Sequence, residues 1–237
     1  TALGYKNSEK IFSKKNIKKF KVITKINDLN KNVLLQLIKS KKKIKVKNFY
    51  GVLFHDEKNL LAKSKAEYKK IVKLLRDNKI TNKIGVSVYT LKSLNLIINK
   101  FDINLVQIPA NIFDRRFLNK ELLKKLKRKK IDVFVRSVFL KGTLINKQFR
   151  EGPKILNRYK NIFNSYERWL DKKNIKNNKF FCINYILDNK IKNIVIGFDN
   201  FYEYKEIISF KNEKYVYPKN FVKPQADSNK LLRPDLW

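Results

Sequence analysis

The strongest constraint on this chain is a unit that recurs along most of its length. A short β-branched run ends in one polar residue and gives way to a Lys-rich stretch with helical apolar spacing. Lys21-Val22-Ile23-Thr24 ends in Lys25, Tyr50-Gly51-Val52-Leu53-Phe54 in His55, and Ile84-Gly85-Val86 in Ser87. Asn104-Leu105-Val106 ends in Gln107, Val133-Phe134-Val135-Arg136 in Ser137, and Asn193-Ile194-Val195-Ile196 in Gly197. Strands alternating with helices build parallel sheets. Near-continuous apolar strands imply a sheet covered on both faces. Each polar residue falls at the carboxyl end of its strand, which in a β/α barrel is the active-site end. The expected fold class is therefore α/β, a (β/α)8 TIM barrel.

The stretches between strands read as helices. Residues 28–43 carry Val33, Leu34, Leu37 and Ile38 at helical spacing, with Asp28 or Asn30 as cap. Residues 63–77 carry Tyr68, Ile71, Val72 and Leu75, and residues 90–99, capped by Thr90, carry Leu91, Leu94, Ile97 and Ile98. Further helices are expected at 7–15, 115–130, 156–172, 178–188 and near 201–208. Residues 138–153 hold Gly142, Gly152 and Pro153 and read as a long loop, a common form for a binding segment. Residues 211–237, with Pro218, Pro224 and Pro234, read as a C-terminal tail. No low-complexity linker interrupts the pattern, so a single domain over 1–237 is expected.

Composition narrows the classes. A hydrophobic fraction of 43% is enough for a large core and argues against wholesale disorder. No apolar run approaches the roughly 20 residues of a membrane span, and Thr1 to Gly4 do not open a signal peptide. Cys182 is the lone cysteine, so no internal disulfide framework exists and a reducing, cytoplasmic location is expected. In the run Phe180-Phe181-Cys182 it reads as a buried small hydrophobe. The formal net charge of +36 is an electrostatic footprint for polyanions. Lys dominates that excess and is accompanied by much Asn and Ile, the mixture a low-G+C genome produces. The lysines therefore read as solvated helix faces with weak, nonspecific attraction to anions at low salt. No membrane partner and no specific nucleic acid are expected. A basic polyanion- or RNA-binding protein remains the alternative from a different class.

The ordered strand-end residues resemble the aldo-keto reductase family over nearly the whole chain. Thr1-Ala2-Leu3-Gly4-Tyr5-Lys6-Asn7-Ser8-Glu9 resembles the family segment Asp-Thr-Ala-x-x-Tyr-Gly-x-x-Glu. Thr24-Lys25, Leu53-Phe54-His55-Asp56, Gly85-Val86-Ser87, Gln107 with Pro109 and Asn111, Ser137 to Gly142, and Val195-Ile196-Gly197 follow in the family's order. The resemblance implies a barrel that reduces an aldehyde, ketone or sugar-like carbonyl with NADP or NAD. Tyr5, Lys25 and His55 stand at three positions of the family's catalytic tetrad. The fourth, an Asp, would precede Thr1. The first strand, its helix and most of the second strand have no counterpart, so the chain reads as amino-terminally truncated, with impaired activity or a noncatalytic barrel as outcomes.

The implied chemistry needs these residue types. Hydride arriving at a carbonyl carbon leaves charge on oxygen, and a nearby proton donor must quench it. A tyrosine has a reference pKa near 10, and an adjacent ammonium lowers it. Tyr5 is the implied donor, Lys25 its ammonium, and His55 the group that orients the carbonyl. Ser87 and Gln107 are implied contacts of the nicotinamide amide. Ser137, Phe139, Leu140 and Gly142 would follow the cofactor pyrophosphate, with Gly197, Asp199 and Asn200 near the adenosine phosphate. Two departures stand out: Lys6 replaces the family's glycine after the Tyr, and Val88 replaces an Asn after the Ser. No Cys/His cluster suggests a metal. The pair Asp56-Glu57 reads as a helix start.

Overall fold

The computed structural model describes residues 8–14, 19–26, 29, 31–218, 221–222 and 229–237. In chain order the helices and strands are α1 (Ser8–Ser13), β1 (Ile23–Ile26), α2 (Val33–Ile44), β2 (Gly51–Phe54), α3 (Glu57–Leu61), α4 (Lys65–Asp77), β3 (Ile84–Ser87), α5 (Leu91–Lys100), β4 (Leu105–Pro109), α6 (Lys120–Arg128), β5 (Asp132–Arg136), α7 (Lys160–Lys172), α8 (Asn178–Asp188), β6 (Asn193–Ile194) and α9 (Phe201–Ile208). All six expected strands form, and the fold is α/β with parallel strands. The chain divides into two compact units, residues 1–107 with 127–132, and residues 108–126 with 133–237.

In the first unit β1, β2, β3 and β4 pair in sequence order, all parallel. β2 and β3 are buried at every position, as strands covered on both faces must be. Gly85 is required by this packing, because a Cβ there would lie 1.9 Å from the Leu105 carbonyl oxygen. The helices bury part of each predicted stripe: Val33 and Leu37 of α2, Tyr68 and Leu75 of α4, and Leu94, Ile97 and Ile98 of α5. In the second unit β5 pairs with β6 in parallel. Its core is aromatic: Phe113 lies 5.3 Å from Tyr166, and Phe221 5.4 Å from Tyr166.

Local chemistry moves several boundaries. α2 begins at Val33, with Asn32 as its cap accepting the Leu35 amide, whereas residues 28–43 were expected; Asp28 and Asn30 lie outside the described residues. The expected helix over 115–130 splits into a 3-10 turn, Arg116–Leu118, and α6, because Asn119 accepts the amides of Glu121 and Leu122 and restarts the helix. Lys154–Tyr159 is likewise a 3-10 turn ahead of α7.

Five of the helix ends share one device. Lys45, Lys79, Lys130, Asn174 and Lys190 follow α2, α4, α6, α7 and α8, and all have positive φ. The apolar residue after each is Val46, Ile80, Ile131, Ile175 or Ile191. Where glycine commonly reverses the chain, this protein uses lysine or asparagine followed by an apolar residue. The Ile80 amide then reaches back to the Leu75 carbonyl, and the Ile175 amide to that of Leu170.

Candidate functional site

In the first unit, parallel pairing brings strand-end polar residues together. Ser87 is in register with Gln107 across β3 and β4. The Lys25 Nζ donates to Gln107 Oε1 at 2.8 Å, and the Ser87 hydroxyl lies 3.5 Å from the same oxygen. All three are buried, with Lys25 7% exposed. A buried ammonium needs acceptors, and here a neutral amide oxygen is one of them. These residues lie within their strands, not after them. His55 follows β2, half-buried, and its amide donates to the Ile26 carbonyl beside Lys25. Tyr5 lies outside the described residues.

Glu57 was read as part of a helix-start pair, and it does more. Asp56 caps α3, accepting the Lys58 amide at 2.8 Å. Glu57 is buried and accepts the Tyr89 amide at 2.6 Å and the Ser93 hydroxyl at 2.8 Å. This clamp fixes the turn after Ser87, the turn in which Val88 stands in place of the family's Asn. Spacing alone gives no hint that a carboxylate 30 residues upstream holds it.

The second unit holds the Ser137–Gly142 segment. Ser137, Leu140, Lys141 and Gly142 all have positive φ. At Gly142, with φ +85, an added Cβ would meet the Phe149 ring at 2.5 Å, so a side chain there would displace that ring and strain the backbone. The Leu140 amide closes a turn onto the Ser137 carbonyl. Among the described residues no acceptor faces the amides of Val138, Phe139, Lys141 and Gly142. Asn111 anchors the segment: its Nδ2 donates to the Ser137 carbonyl at 3.0 Å, while its Oδ1 accepts the Phe113 and Asp114 amides.

A cavity of about 470 Å³ opens beside this loop, lined by Ser137, Phe139 and Gly142 and, from the segment after β6, by Gly197 and Asp199. Leu140 is buried beneath. Asn200 does not line the cavity; it caps α9, accepting the Glu203 amide, and Glu203 in turn accepts the Asp199 amide at 2.9 Å. Of α9's first donors, the Glu203 amide is thus held by the cap. Lys141, Lys179, Phe149 and Phe198 also line the cavity, and sequence reading missed them. Nothing local marks Phe149, which arrives through the loop's own folding.

A buried ion pair was also missed. Arg116 grips Asp114 with two bonds, of 2.9 and 2.7 Å, and both side chains are almost wholly buried. Burial pushes the Asp114 carboxyl up, against the pull of the guanidinium. The visible signal was a charged run, Asp114-Arg115-Arg116, between Phe113 and Phe117. Cys182 is buried, and burial pushes its thiol up to about 12, which makes it inert. Among the described residues no cluster suits a metal, and no helix is long and apolar enough to cross a membrane.

No family model and no curated protein matches the sequence. Solved structures do match. The holo form of the aldo-keto reductase AKR11C1 from Bacillus halodurans superposes with a TM-score of 0.71 at 14% identity, covering 100% of this chain and 82% of that one. The glycerol dehydrogenase AKR11B4 from Gluconobacter oxydans gives 0.57 at 17% identity, covering 91% and 82%. The thermostable aldo-keto reductase Tm1743, bound to the inhibitor epalrestat, gives 0.65 at 17% identity, covering 100% and 80%. At such identities the likeness speaks for architecture: this chain has the fold of the aldo-keto reductases.

Proposed function

We propose that the protein is an oxidoreductase that reduces an aldehyde, ketone or sugar-like carbonyl with NADP or NAD. The observation that carries this reading is the buried hydrogen-bonded set of Lys25, Gln107 and Ser87, brought together by parallel strands, in a fold shared with aldo-keto reductases. The donor set of the Ser137–Gly142 loop suits the cofactor's phosphates, since successive amides around left-handed residues form an anion-binding concavity. Phe139, Gly197 and Asp199 would wall its nucleotide, with Leu140 supporting the loop and Asn200 holding the helix start. When bound, the cofactor supplies hydride. Tyr5 donates the proton that quenches the carbonyl oxygen, and Lys25 eases that donation by favouring the phenolate. An ammonium has three donors, so Lys25 can serve Gln107 and still face the phenol. His55 orients the carbonyl by donating a hydrogen bond. The lone buried thiol suits a cytoplasmic setting.

The test is loss of reduced-cofactor absorbance across a panel of carbonyls, together with a cofactor-binding titration. Tyr5→Phe should remove most turnover and leave cofactor binding in place. A Tyr5→Phe variant as fast as its parent would refute the mechanism. Cofactor binding with no turnover on any carbonyl would favour a noncatalytic barrel.

A further inference from the structure

The first unit is asymmetric in charge. The turns after β2 and β3, at 55–56 and 88–90, hold Asp56 and no Lys or Arg, and the segment after β1 holds Lys31. The turns that precede β2, β3, β4 and β5 hold Lys45 and Lys47, Lys79 and Lys83, and Lys129 and Lys130, against Asp102. A low-G+C composition enriches lysine without choosing an end. Cations at helix C-termini do complement the helix dipole, yet Lys47, Lys83 and Lys130 lie beyond the helices.

These loops are drawn together. Lys83 pairs with Asp132 and donates to the Tyr50 hydroxyl at 3.1 Å, and Tyr50 donates to Asp132 at 3.1 Å. The Tyr50 ring takes the Lys83 ammonium 4.8 Å from its centroid and that of Lys21 at 5.4 Å. Beside them lies a cleft of about 450 Å³ lined by Phe20, Lys45, Val46, Lys47 and Asn48. The Phe20 ring at its rim is 69% exposed. Lys45, Lys79 and Lys130 hold left-handed backbone that glycine would adopt at lower cost, so the cation is kept against a conformational penalty.

We propose that this face binds single-stranded nucleic acid. Lysines along several loops neutralise backbone phosphates, and Phe20 stacks on a base at the mouth of the cleft. Lysine cations with an exposed ring among them are what sequence-tolerant single-strand binding requires. Duplex DNA, with its bases stacked inside, would use the charge and leave Phe20 without a role; an anionic membrane would also take up the ring, and the vesicle arm of the experiment separates that case.

The experiment measures anisotropy of a labelled oligouridylate of about a dozen nucleotides on the full chain, with a duplex of equal length and phosphatidylserine vesicles as alternatives. The triple variant Lys45→Gly, Lys79→Gly, Lys130→Gly removes three charges where glycine relieves the backbone. It should lose roughly tenfold or more in affinity at low salt and flatten the salt dependence, while its Tm holds or rises. Phe20→Ala should lose about tenfold without changing the salt slope. Lys172→Gln, Lys173→Gln, Lys176→Gln, the same charge removed elsewhere, should bind within about threefold of the parent. Equal loss from that control would show diffuse attraction and overturn the proposal. So would Phe20→Ala binding like the parent, or a preference for duplex or vesicles.

Discussion

The two units keep their polar residues in different ways. In the first, Lys25, Gln107 and Ser87 are buried among apolar strands and bond to one another, and Glu57 clamps the following turn. In the second, the loop from Ser137 lines an open cavity with exposed aromatic walls, Phe149 and Phe198, and leaves amides without an internal acceptor among the described residues. Its internally satisfied polar group is instead the Asp114–Arg116 pair, away from that cavity's lining. The difference teaches that a site can be rigid through mutual bonding or receptive through unused donors. The first suits a group that must stay at one point, the second a ligand that brings its own acceptors.

The largest expected effect would break this contrast at its deepest point. Arg116→Ala leaves the buried Asp114 without its guanidinium and should cost about 3–5 kcal/mol. Both tryptophans, Trp169 and Trp237, lie in the second unit, so denaturant unfolding followed by their fluorescence reads this loss. A cost below about 1 kcal/mol would mean the pair is interchangeable with apolar packing.

A smaller effect separates the members of the first unit's set by sign. Gln107→Leu removes an acceptor from a buried ammonium and should destabilise by about 1–3 kcal/mol. Lys25→Met removes the cation itself at similar length, so it should be neutral or stabilising while abolishing turnover. Calorimetry on both variants checks this. Equal destabilisation would mean that the stem of Lys25, not its charge, matters to the fold.

The smallest contrast lies between two exposed helix caps. Glu67 closes a reciprocal cap with Ser64 on α4, as Glu203 does around Asn200 on α9. The backbone amide of Ser64, bonded to its carboxylate, holds Glu67 at about 2, below the usual 4.5. A carboxyl depressed in the folded state stabilises above its unfolded pKa and loses that contribution as pH falls. The cap should therefore weaken between about pH 4.5 and 2, and Glu67→Gln should flatten that dependence. Amide shifts of α4 followed through an acid titration would show it; a Glu67 titrating near 4.5 would contradict it.

Much of the fold was legible because burial on both faces forces apolar, β-branched strands and leaves only their ends polar. Helices α8 and α9 start and stop where their apolar stripes and Asn caps place them. The start of α2 was misplaced because Asp28, Asn30 and Asn32 are all competent caps, and only the chain's path decides among them. Lys25, Ser87 and Gln107 were identifiable by position, yet their meeting on one oxygen depends on register across β1 to β4. Asp114–Arg116 escaped notice because surface and buried charges look alike in a sequence this rich in lysine.

By itself, then, the sequence determined the alternation of strands and helices, the placement of polar residues at strand ends, and the excess of positive charge. Each follows from local periodicity or composition, which any stretch of chain carries within it. Tertiary structure alone decided which polar groups bond to one another and which charges are buried. Those outcomes depend on distances between residues far apart in the chain, such as Lys25 and Gln107 or Lys83 and Asp132, and such distances exist only once the strands have paired.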